Sequence, residues 1–277
     1  MNSKCQNSSG GAYSSFENST LIRHPSFVIY RSTAVDQTLL HLINQQWTNS
    51  ALDLFMAALS NSAIWMPFLI AGGIVAVGFG GFRARACLIC MVCTLLVTEQ
   101  ITGLLKNAVD RHRPKQVETV RMVELQRARP KFLTLFKKPR IRFSDASDQN
   151  RSGPSFPSGH VTNNTVAAVC LTLFYRRRGS FYWIVAALIG YSRVYLGAHW
   201  PSDVIATFFL ATGEALIMIG LLELIWRSVA KKFIPQIYIR HPTLMVGHVS
   251  SSPCPPSPAR GATSRSDRPT GDRRHSS

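Results

Sequence analysis

The sequence predicts an all-α fold, a polytopic membrane helical bundle of about five spanning helices with an N-terminal amphipathic helix before them. Two observations predict it. Long apolar runs recur along the 277 residues, and the charged residues, only 16% of the chain, are bunched between those runs. The hydrophobic fraction of 46% excludes a wholly disordered chain. The formal net charge of +17 indicates an anionic partner, either nucleic acid or anionic lipid, so the positions of the cations become decisive.

Five apolar runs predict the spanning helices. Residues 63–82 form a run of 20 without an ionisable side chain. At about 1.5 Å per residue, such a helix crosses a hydrocarbon core of about 30 Å. The later runs are 86–105, 161–175, about 181–197 and 204–226. The run 161–175 is short for a span, so we expect its helix to begin before His160 and its outer end to line a polar cavity.

Isolated ionisable residues interrupt these runs at Glu99, Arg193, Glu214 and Glu223. A charged side chain inside a membrane segment is costly, so such residues are expected to face polar partners or a cavity. Glu99 lies two turns before Lys106. It either pairs with that or another cation, or bonds polar groups of a neighbouring helix, and the sequence leaves both alternatives open.

The cysteines are too few and too badly placed for a disulfide framework. Cys87, Cys90 and Cys93 recur every three residues inside an apolar helix without a nearby histidine, so we interpret them as small packing residues. Asn163 and Asn164 lie one turn into the third predicted helix. Hydrogen bonding between helices is the favoured interpretation for both asparagines.

The chain divides into three parts. Residues 1–34 form a polar N-terminal segment without the apolar region of a signal peptide. Residues 35–246 form the membrane-embedded domain. It begins with the amphipathic stretch 35–59, expected at the interface, and it includes a long loop over 106–157. Residues 247–277 are rich in Ser, Pro and Arg and nearly free of large apolar residues, which predicts a disordered tail.

Clusters of Arg and Lys without acidic residues fall on one side of the predicted bundle. They are Arg83 with Arg85, Arg176–Arg178, and the group Arg227, Lys231, Lys232 and Arg240. By the positive-inside rule this side is cytoplasmic. The opposite side carries the 13 basic residues of 106–153, but long loops cross a membrane largely regardless of charge. We expect that loop to dock on anionic headgroups or cover a lipid rather than to bind nucleic acid.

Three polar clusters lie at the outer ends of the predicted helices. They are Lys106-x6-Arg113-Pro114, Pro157-Ser158-Gly159-His160 and Ser192-Arg193-x5-His199-x3-Asp203. If the helices pack together, these clusters meet at one membrane face. Arginine offers a planar fork that fits phosphate oxygens, and lysine adds a compact charge. A Ser-Gly step that opens a helix exposes backbone N–H groups to an anion. The pattern predicts a site for phosphoryl transfer.

The histidines of these clusters supply the chemistry. Asp203 follows His199 by four residues and could hold the Nδ1–H of its imidazole, which leaves Nε2 free to attack. His160 is then the candidate acid that protonates the leaving oxygen. We expect neither a metal ion nor another cofactor, because the cations neutralise the charge that develops in the transition state.

The motifs KNAVDRHRP, PSGH and SRVYLGAHWPSD together resemble the three-part signature of the type-2 phosphatidic acid phosphatase superfamily. That superfamily comprises membrane lipid phosphatases related to bacterial acid phosphatases and vanadium haloperoxidases. The resemblance covers residues 106–203 and implies a helical bundle with its site at the membrane–water boundary. It implies that His199 is the nucleophile that forms a phosphohistidine, that Asp203 is its partner, and that His160 is the acid. The residues implied in phosphate binding are Lys106, Arg113, Ser158, Gly159 and Arg193.

The residues and the resemblance together predict a metal-independent integral membrane phosphatase that acts on a phosphomonoester or diphosphate lipid. Its location would be the inner (plasma) membrane, with the site on the periplasmic or extracytoplasmic side. Polyprenyl diphosphate is the first choice of substrate, and phosphatidylglycerophosphate, phosphatidic acid and lipid A phosphate stay open. A vanadate-dependent haloperoxidase and a non-catalytic phospholipid-binding protein would share the anion pocket. The apolar helices argue against the first, and the two histidines with Asp203 argue against the second.

Overall fold

The structure, a computed structural model, describes residues 33–126, 134–135, 137–151 and 153–245. The predicted disordered tail over 247–277 lies outside the described residues, as do residues 1–32 of the polar N-terminal segment. Residues 127–133 of the basic loop also lie outside them. The described part is mostly helical, in agreement with the predicted fold class.

The described residues form eleven α-helices, a π-helical turn and two strands. The helices are α1 (Ala34–His41), α2 (Ser50–Ser60), α3 (Ser62–Gly78), α4 (Phe82–Val109), α5 (Pro114–Val117), α6 (Ala146–Arg151), α7 (Gly159–Tyr175), α8 (Arg177–Ser180), α9 (Tyr182–Tyr195), α10 (Pro201–Phe233) and α11 (Pro235–Arg240). The π-helical turn Leu42–Gln46 continues α1, and the strands are β1 (Arg121–Glu124) and β2 (Arg140–Phe143).

Short polar side chains fix where the first helices begin. Thr33 Oγ1 accepts a hydrogen bond from the Asp36 N–H at 3.1 Å and starts α1. Asn49 Oδ1 accepts from a backbone N–H of α2 at 2.8 Å, and Asn61 Oδ1 accepts from the Ala63 N–H at 3.1 Å at the start of α3. Such caps satisfy N–H groups that have no partner within the helix. Because Asn61 ends α2 and begins α3, the chain bends there by 52°.

Two helical stretches, Phe82–Val117 and Pro201–Phe233, are long and apolar enough to cross a membrane. The bent pair of α2 and α3 makes a third if it counts as one span. α7 has 17 residues and α9 has 14, fewer than the roughly 20 that a span requires. The prediction of a membrane helical bundle is confirmed in this coarser form. The five spans and the interfacial position of the N-terminal amphipathic helix stay predictions.

Helices α7 and α9 are short because the chain turns back on itself at α8. This turn lies at the end of the bundle that the sequence predicts to be cytoplasmic. α8 lies directly against α7, where a Cβ added to Gly179 would meet the Leu171 carbonyl oxygen at 1.9 Å. Only glycine permits this approach of two backbones. Trp183 Nε1 also donates to Thr172 Oγ1 at 3.1 Å, so α9 begins beside the last two turns of α7 rather than beyond its end.

The main core lies between α4, α7 and α10. Its buried members include Cys87, Cys90, Val166, Val169, Cys170, Phe174, Ala215 and Ile219. The interpretation of Cys87 and Cys90 as packing residues is therefore confirmed. A second buried cluster at the other end of the bundle contains Leu40, Val120, Val161, Val194, Trp200 and Val204. This second cluster brings α1 and the long loop against the helix ends that carry the polar residues.

An antiparallel hairpin of β1 and β2 departs from the all-α prediction. Arg121 lies opposite Phe143 in its register. Both terminal nitrogens of Arg121 donate to the carboxylate of Asp53 in α2, at 2.7 and 2.6 Å, and the Tyr195 hydroxyl donates to the same carboxylate at 2.7 Å. The hairpin is thus fastened to the bundle by a buried ion pair. Strands of four residues rich in arginine give too weak an alternation for sequence analysis to detect.

Candidate active site

The three polar clusters lie together at one end of the bundle. Lys106 is in the last turn of α4, His160 in the first turn of α7 and Arg193 in the last turn of α9. His199 lies in the loop that leads into α10, within electrostatic range of Arg193, Arg113 and His160. Residues separated by almost 100 positions in the chain therefore surround one small volume.

His199 is buried, with 3% of its surface exposed, and its Nδ1 lies 2.6 Å from the backbone oxygen of Ser155. A carbonyl oxygen can only accept a hydrogen bond, so Nδ1 carries the ring hydrogen and Nε2 keeps its lone pair. Burial, and after it the cations Arg193 and Arg113, hold the pKa of His199 well below its usual value of 6.5. The imidazole is thus neutral at pH 7 and competent as a nucleophile.

This depressed pKa predicts how acid affects stability. Below pH 6.5 the unfolded chain protonates His199 while the folded protein does not, so acidification favours unfolding. The cost is up to about 1.4 kcal/mol per pH unit until the folded-state pKa is reached. Thermal unfolding in detergent between pH 7.5 and 5.5, values that bracket about 6.5, should show the wild type losing more stability than His199→Asn. Parallel curves for the two proteins would contradict the buried, neutral imidazole.

Asp203 is linked to the His199 imidazole through Ser155. Its Oδ2 accepts from Ser155 Oγ at 2.5 Å, and its Oδ1 accepts from Arg111 Nη1 at 2.6 Å. The expected direct hydrogen bond between His199 Nδ1 and Asp203 therefore differs from the structure, in which Ser155 stands between them. The physical reason is that Asp203 also caps α10, accepting from the Trp200 N–H at 3.3 Å, which turns its carboxylate toward the helix start.

Arg193 and Ser158 each keep one buried polar atom without a hydrogen-bond partner among the described residues. These atoms are Arg193 Nε and Ser158 Oγ. Each residue is held by another group, because Arg193 Nη1 donates to Ser60 Oγ and the Ser158 N–H donates to Thr207 Oγ1 at 3.1 Å. A buried polar atom left unpaired costs about 1–3 kcal/mol. Held in place and unpaired, the two atoms are suited to binding an anion.

Lys106 and His160 border the same volume. A Cβ added to Gly159, at the start of α7, would lie 4.0 Å from Lys106 Nζ, so the lysine reaches the helix N-terminus. The His160 ring contacts the backbone of Ser60 and lies within electrostatic range of all three motif cations. Within the described ranges, no group of three or more His, Cys, Asp or Glu side chains is placed to hold a metal ion. The positive charge here comes from lysine and arginine.

Arg113 is anchored to the loop immediately before Ser155. Its Nε donates to the Gly153 carbonyl at 2.8 Å, and its Nη2 donates to the Pro154 carbonyl at 3.3 Å. Its backbone N–H donates to Gln116 Oε1 at 2.6 Å at the start of α5. These bonds set the guanidinium beside His199 and link the end of α4 to the loop that enters α7.

Asn164 makes the contact between helices that the sequence predicts, whereas Glu99 does not pair with Lys106. Asn164 accepts from the Tyr182 hydroxyl at 2.9 Å and donates to the His160 carbonyl at 2.8 Å, so the predicted bonding between helices is confirmed. Glu99 lies on the exposed side of α4. No ion pair between described residues joins Glu99 to Lys106, because the carboxylate faces away from the bundle.

Sequence analysis missed the polar residues that support the site. They are Asp36, Ser60, Arg111, Ser155 and Ser202. Arg111 lies inside the motif KNAVDRHRP beside Arg113, so its place in the motif is a signal that it belongs to the site. Asp36 and Ser60 had no signal, because both belong to the N-terminal helices and reach the site only through tertiary packing.

A family model described as the PAP2 superfamily matches residues 87–227, which is 141 of the 277 residues. The chain belongs to the PAP2 superfamily. The matched stretch begins in α4 and ends in α10, and it contains all three polar clusters. The predicted membership is therefore confirmed. With its long apolar helices, this PAP2 chain is a membrane protein.

Two curated relatives match parts of this PAP2 chain. The undecaprenyl-diphosphatase of Sulfolobus acidocaldarius is 44% identical over 62 residues, which cover 21% of this chain and 29% of that protein. A putative undecaprenyl-diphosphatase of Escherichia coli is 37% identical over 81 residues, which cover 28% of this chain and 38% of that protein. The chain therefore spans between 29% and 38% of the length of the curated relatives it matches.

Two solved structures are similar to the PAP2 chain. One is the crystal structure of Aquifex aeolicus LpxE, with a TM-score of 0.49 and 21% identity over 70% of this chain and 99% of that one. The other is a transmembrane PAP2 type phosphatidylglycerolphosphate phosphatase from Bacillus subtilis. Its TM-score is 0.49 and its identity 20%, over 70% of this chain and 89% of that one.

Proposed function

We propose that this PAP2 protein is a metal-independent membrane phosphatase that hydrolyses a phosphomonoester or diphosphate lipid through a phosphohistidine on His199. One observation carries the proposal. A buried neutral imidazole that keeps its Nε2 lone pair lies beside buried polar atoms without partners among the described residues, Arg193 Nε and Ser158 Oγ. A nucleophile next to donors for phosphate oxygens is what phosphoryl transfer requires.

In the first step, the phosphate binds among Lys106, Arg113 and Arg193, at the Ser158 hydroxyl and at the Gly159 N–H at the start of α7. His199 Nε2 then attacks phosphorus while the bond to the leaving oxygen breaks. Burial and the neighbouring cations lower the pKa of His160 to about 4, so His160 takes up a proton as the anionic phosphate binds beside it, and it donates this proton to the leaving oxygen. The fixed cations neutralise the charge on the equatorial oxygens, which is where such a reaction needs electrostatic stabilisation.

In the second step, water replaces the imidazole. Neutral His160 accepts a proton from the water, whose oxygen forms the new bond to phosphorus as the bond to Nε2 breaks. Inorganic phosphate leaves, and both histidines return to their starting states. Nδ1–H of His199 stays hydrogen-bonded to the Ser155 carbonyl throughout, so the positive charge on the phosphorylated ring is stabilised by an oxygen acceptor.

Our first choice of substrate is a polyprenyl diphosphate. The curated relatives are named for undecaprenyl diphosphate, and the lipid-facing sides of α4 and α10 expose Leu104, Ile205 and Phe209 within two turns of site residues. An apolar tail could lie along these side chains while the diphosphate reaches the cations. Phosphatidylglycerophosphate, phosphatidic acid and lipid A phosphate present the same phosphate chemistry and stay open as alternatives.

The same proposal covers location and domain organisation. The site end of the bundle would face the periplasmic or extracytoplasmic side of the inner (plasma) membrane, since Arg83, Arg85 and Arg176–Arg178 lie at the opposite end. The catalytic unit would be residues 35–246, with 106–157 as its active-site loop. The basic residues of that loop would dock on anionic headgroups.

The test is phosphate release from a panel of lipids in detergent micelles. The panel contains a polyprenyl diphosphate, phosphatidylglycerophosphate, phosphatidic acid and lipid A phosphate, each with wild type and His199→Ala, with and without EDTA. We expect release by wild type alone, fastest from the polyprenyl diphosphate and unchanged by EDTA. Stoichiometric lipid binding without release, or halide oxidation after vanadate is added, would contradict the proposal. Loss of release with EDTA would contradict its metal-free form.

A further inference from the structure

A connected set of largely buried hydrogen bonds extends from His199 into the N-terminal helix α1. Ser155 is its centre, because all three of its polar groups are used. Its carbonyl accepts from His199 Nδ1 at 2.6 Å, its hydroxyl donates to Asp203 at 2.5 Å, and its N–H donates to the Arg111 carbonyl at 2.6 Å. The orientation of the imidazole therefore depends on where Ser155 is held.

Arg111 holds that centre from two sides. Its carbonyl accepts the Ser155 N–H, and its Nη1 donates at 2.6 Å to the Asp203 carboxylate, which accepts the Ser155 hydroxyl. The guanidinium is 3% exposed, so its charge needs carboxylate partners within the protein. Moving Arg111 would displace Ser155 and Asp203 together, and the His199 ring with them.

The second partner of Arg111 is Asp36, in the first turn of α1. Arg111 Nη2 donates to Asp36 Oδ2 at 2.8 Å. The same carboxylate accepts from the Ser202 N–H at 2.9 Å and from the Ser202 hydroxyl at 2.7 Å, and Ser202 Oγ also lies 2.9 Å from Arg111 Nη1. Asp36 is 3% exposed. An apparently peripheral helix thus supplies a carboxylate that fixes both Arg111 and the first turn of α10.

We propose that Ser155, Arg111 and Asp36 are positioning residues for His199, and that α1 is for this reason an integral part of the active site. This inference rests on the proposed phosphatase function. Asp203 then acts on the imidazole through Ser155 rather than by direct contact. The network fixes the tautomer with hydrogen on Nδ1 and aims Nε2 at the phosphate, and it contributes no proton to the reaction.

The test compares Ser155→Ala, Arg111→Gln and Asp36→Asn with the control Asp53→Asn. Asp53 is also a buried carboxylate paired with an arginine, but it holds the hairpin and has no bond to Ser155, Arg111 or Asp203. We expect kcat to fall about 100-fold in Arg111→Gln, as for a misplacement of the reacting groups by about 1 Å. We expect falls of about 10-fold in the other two network variants, with KM within about threefold of wild type.

A second readout does not depend on turnover. Nitrogen-15 NMR of histidine-labelled protein should show one His199 tautomer in wild type and in Asp53→Asn, and mixed tautomers in Arg111→Gln. Ser155→Ala removes a single hydroxyl, so this variant tests the positioning of His199 if Arg111→Gln fails to fold. Folded Ser155→Ala and Asp36→Asn proteins with kcat and tautomer matching the control would overturn the inference. A wild type that shows the fixed tautomer but releases no phosphate would instead overturn the proposed function.

Discussion

Replacing His199 by alanine is expected to abolish phosphate release, with kcat falling by about 10⁴-fold or more, the scale seen when a covalent nucleophile is removed. His199 Nε2 would form the bond to phosphorus, because the Ser155 carbonyl holds Nδ1 and the ring lies within electrostatic range of Arg193 and Arg113. Binding should persist, because the cations remain. The measurement is release of inorganic phosphate from the best lipid of the panel, together with lipid binding by the same protein.

The matched variant for this prediction is His199→Asn. Its side-chain amide can still donate to the Ser155 carbonyl in place of Nδ1, so the surrounding network is kept while the nucleophile is lost. His199→Ala and His199→Asn should be equally inactive, and His199→Asn should unfold at a higher temperature than His199→Ala. Turnover within tenfold of wild type in either folded variant, about 1.4 kcal/mol of barrier, would refute His199 as the nucleophile.

Arg193→Gln is expected to lower kcat/KM by about 10³-fold, because a partly buried guanidinium aimed at developing charge is worth several kcal/mol. Arg193 Nε has no hydrogen-bond partner among the described residues. No ion pair between described residues includes the Arg193 guanidinium. The charge is therefore uncompensated until a phosphate binds. Removing it should leave the free protein equally stable or more stable, since active-site function commonly costs stability.

The conservative variant and a control separate charge from geometry at this position. Arg193→Lys should recover part of the activity, because lysine restores the charge without the planar fork. Arg142→Gln removes an arginine of the loop that is already paired with Glu124 and Asp148, and its kcat/KM should stay near that of wild type. Thermal unfolding and kinetics are measured on all four proteins. A destabilised Arg193→Gln with unchanged kcat/KM would show that Arg193 is structural.

The sequence contained the residues of the candidate site because chemistry constrains their spacing. Lys106 falls at the end of one helix with Arg113 shortly beyond it, and Ser158 and His160 fall at the start of another, so the motifs alone bring them close to helix ends. Fold class followed in the same way from apolar runs. The long helices α4, of 28 residues, and α10, of 33 residues, contain the apolar runs 86–105 and 204–226 and extend beyond both ends of each run.

Tertiary packing decided what the sequence could not. The ends of α7 and α9 depend on the contact of Gly179 with Leu171, which no local pattern encodes. Ser155 stands between His199 and Asp203 because the Asp203 carboxylate also caps α10. Asp36 joins the network from a helix far away in the chain, and its burial beside Arg111 is visible only in three dimensions.

The most direct test of a phosphohistidine mechanism is to trap the intermediate. A radiolabelled polyprenyl diphosphate, carrying ³²P in the terminal phosphate, is mixed with excess enzyme and quenched in alkali within a single turnover. The protein is then digested and the label located by mass spectrometry. We predict acid-labile, alkali-stable phosphate on His199, appearing before free phosphate and absent from His199→Asn. Release of free phosphate with no label on His199 at any time, or with the label on another residue, would contradict the mechanism.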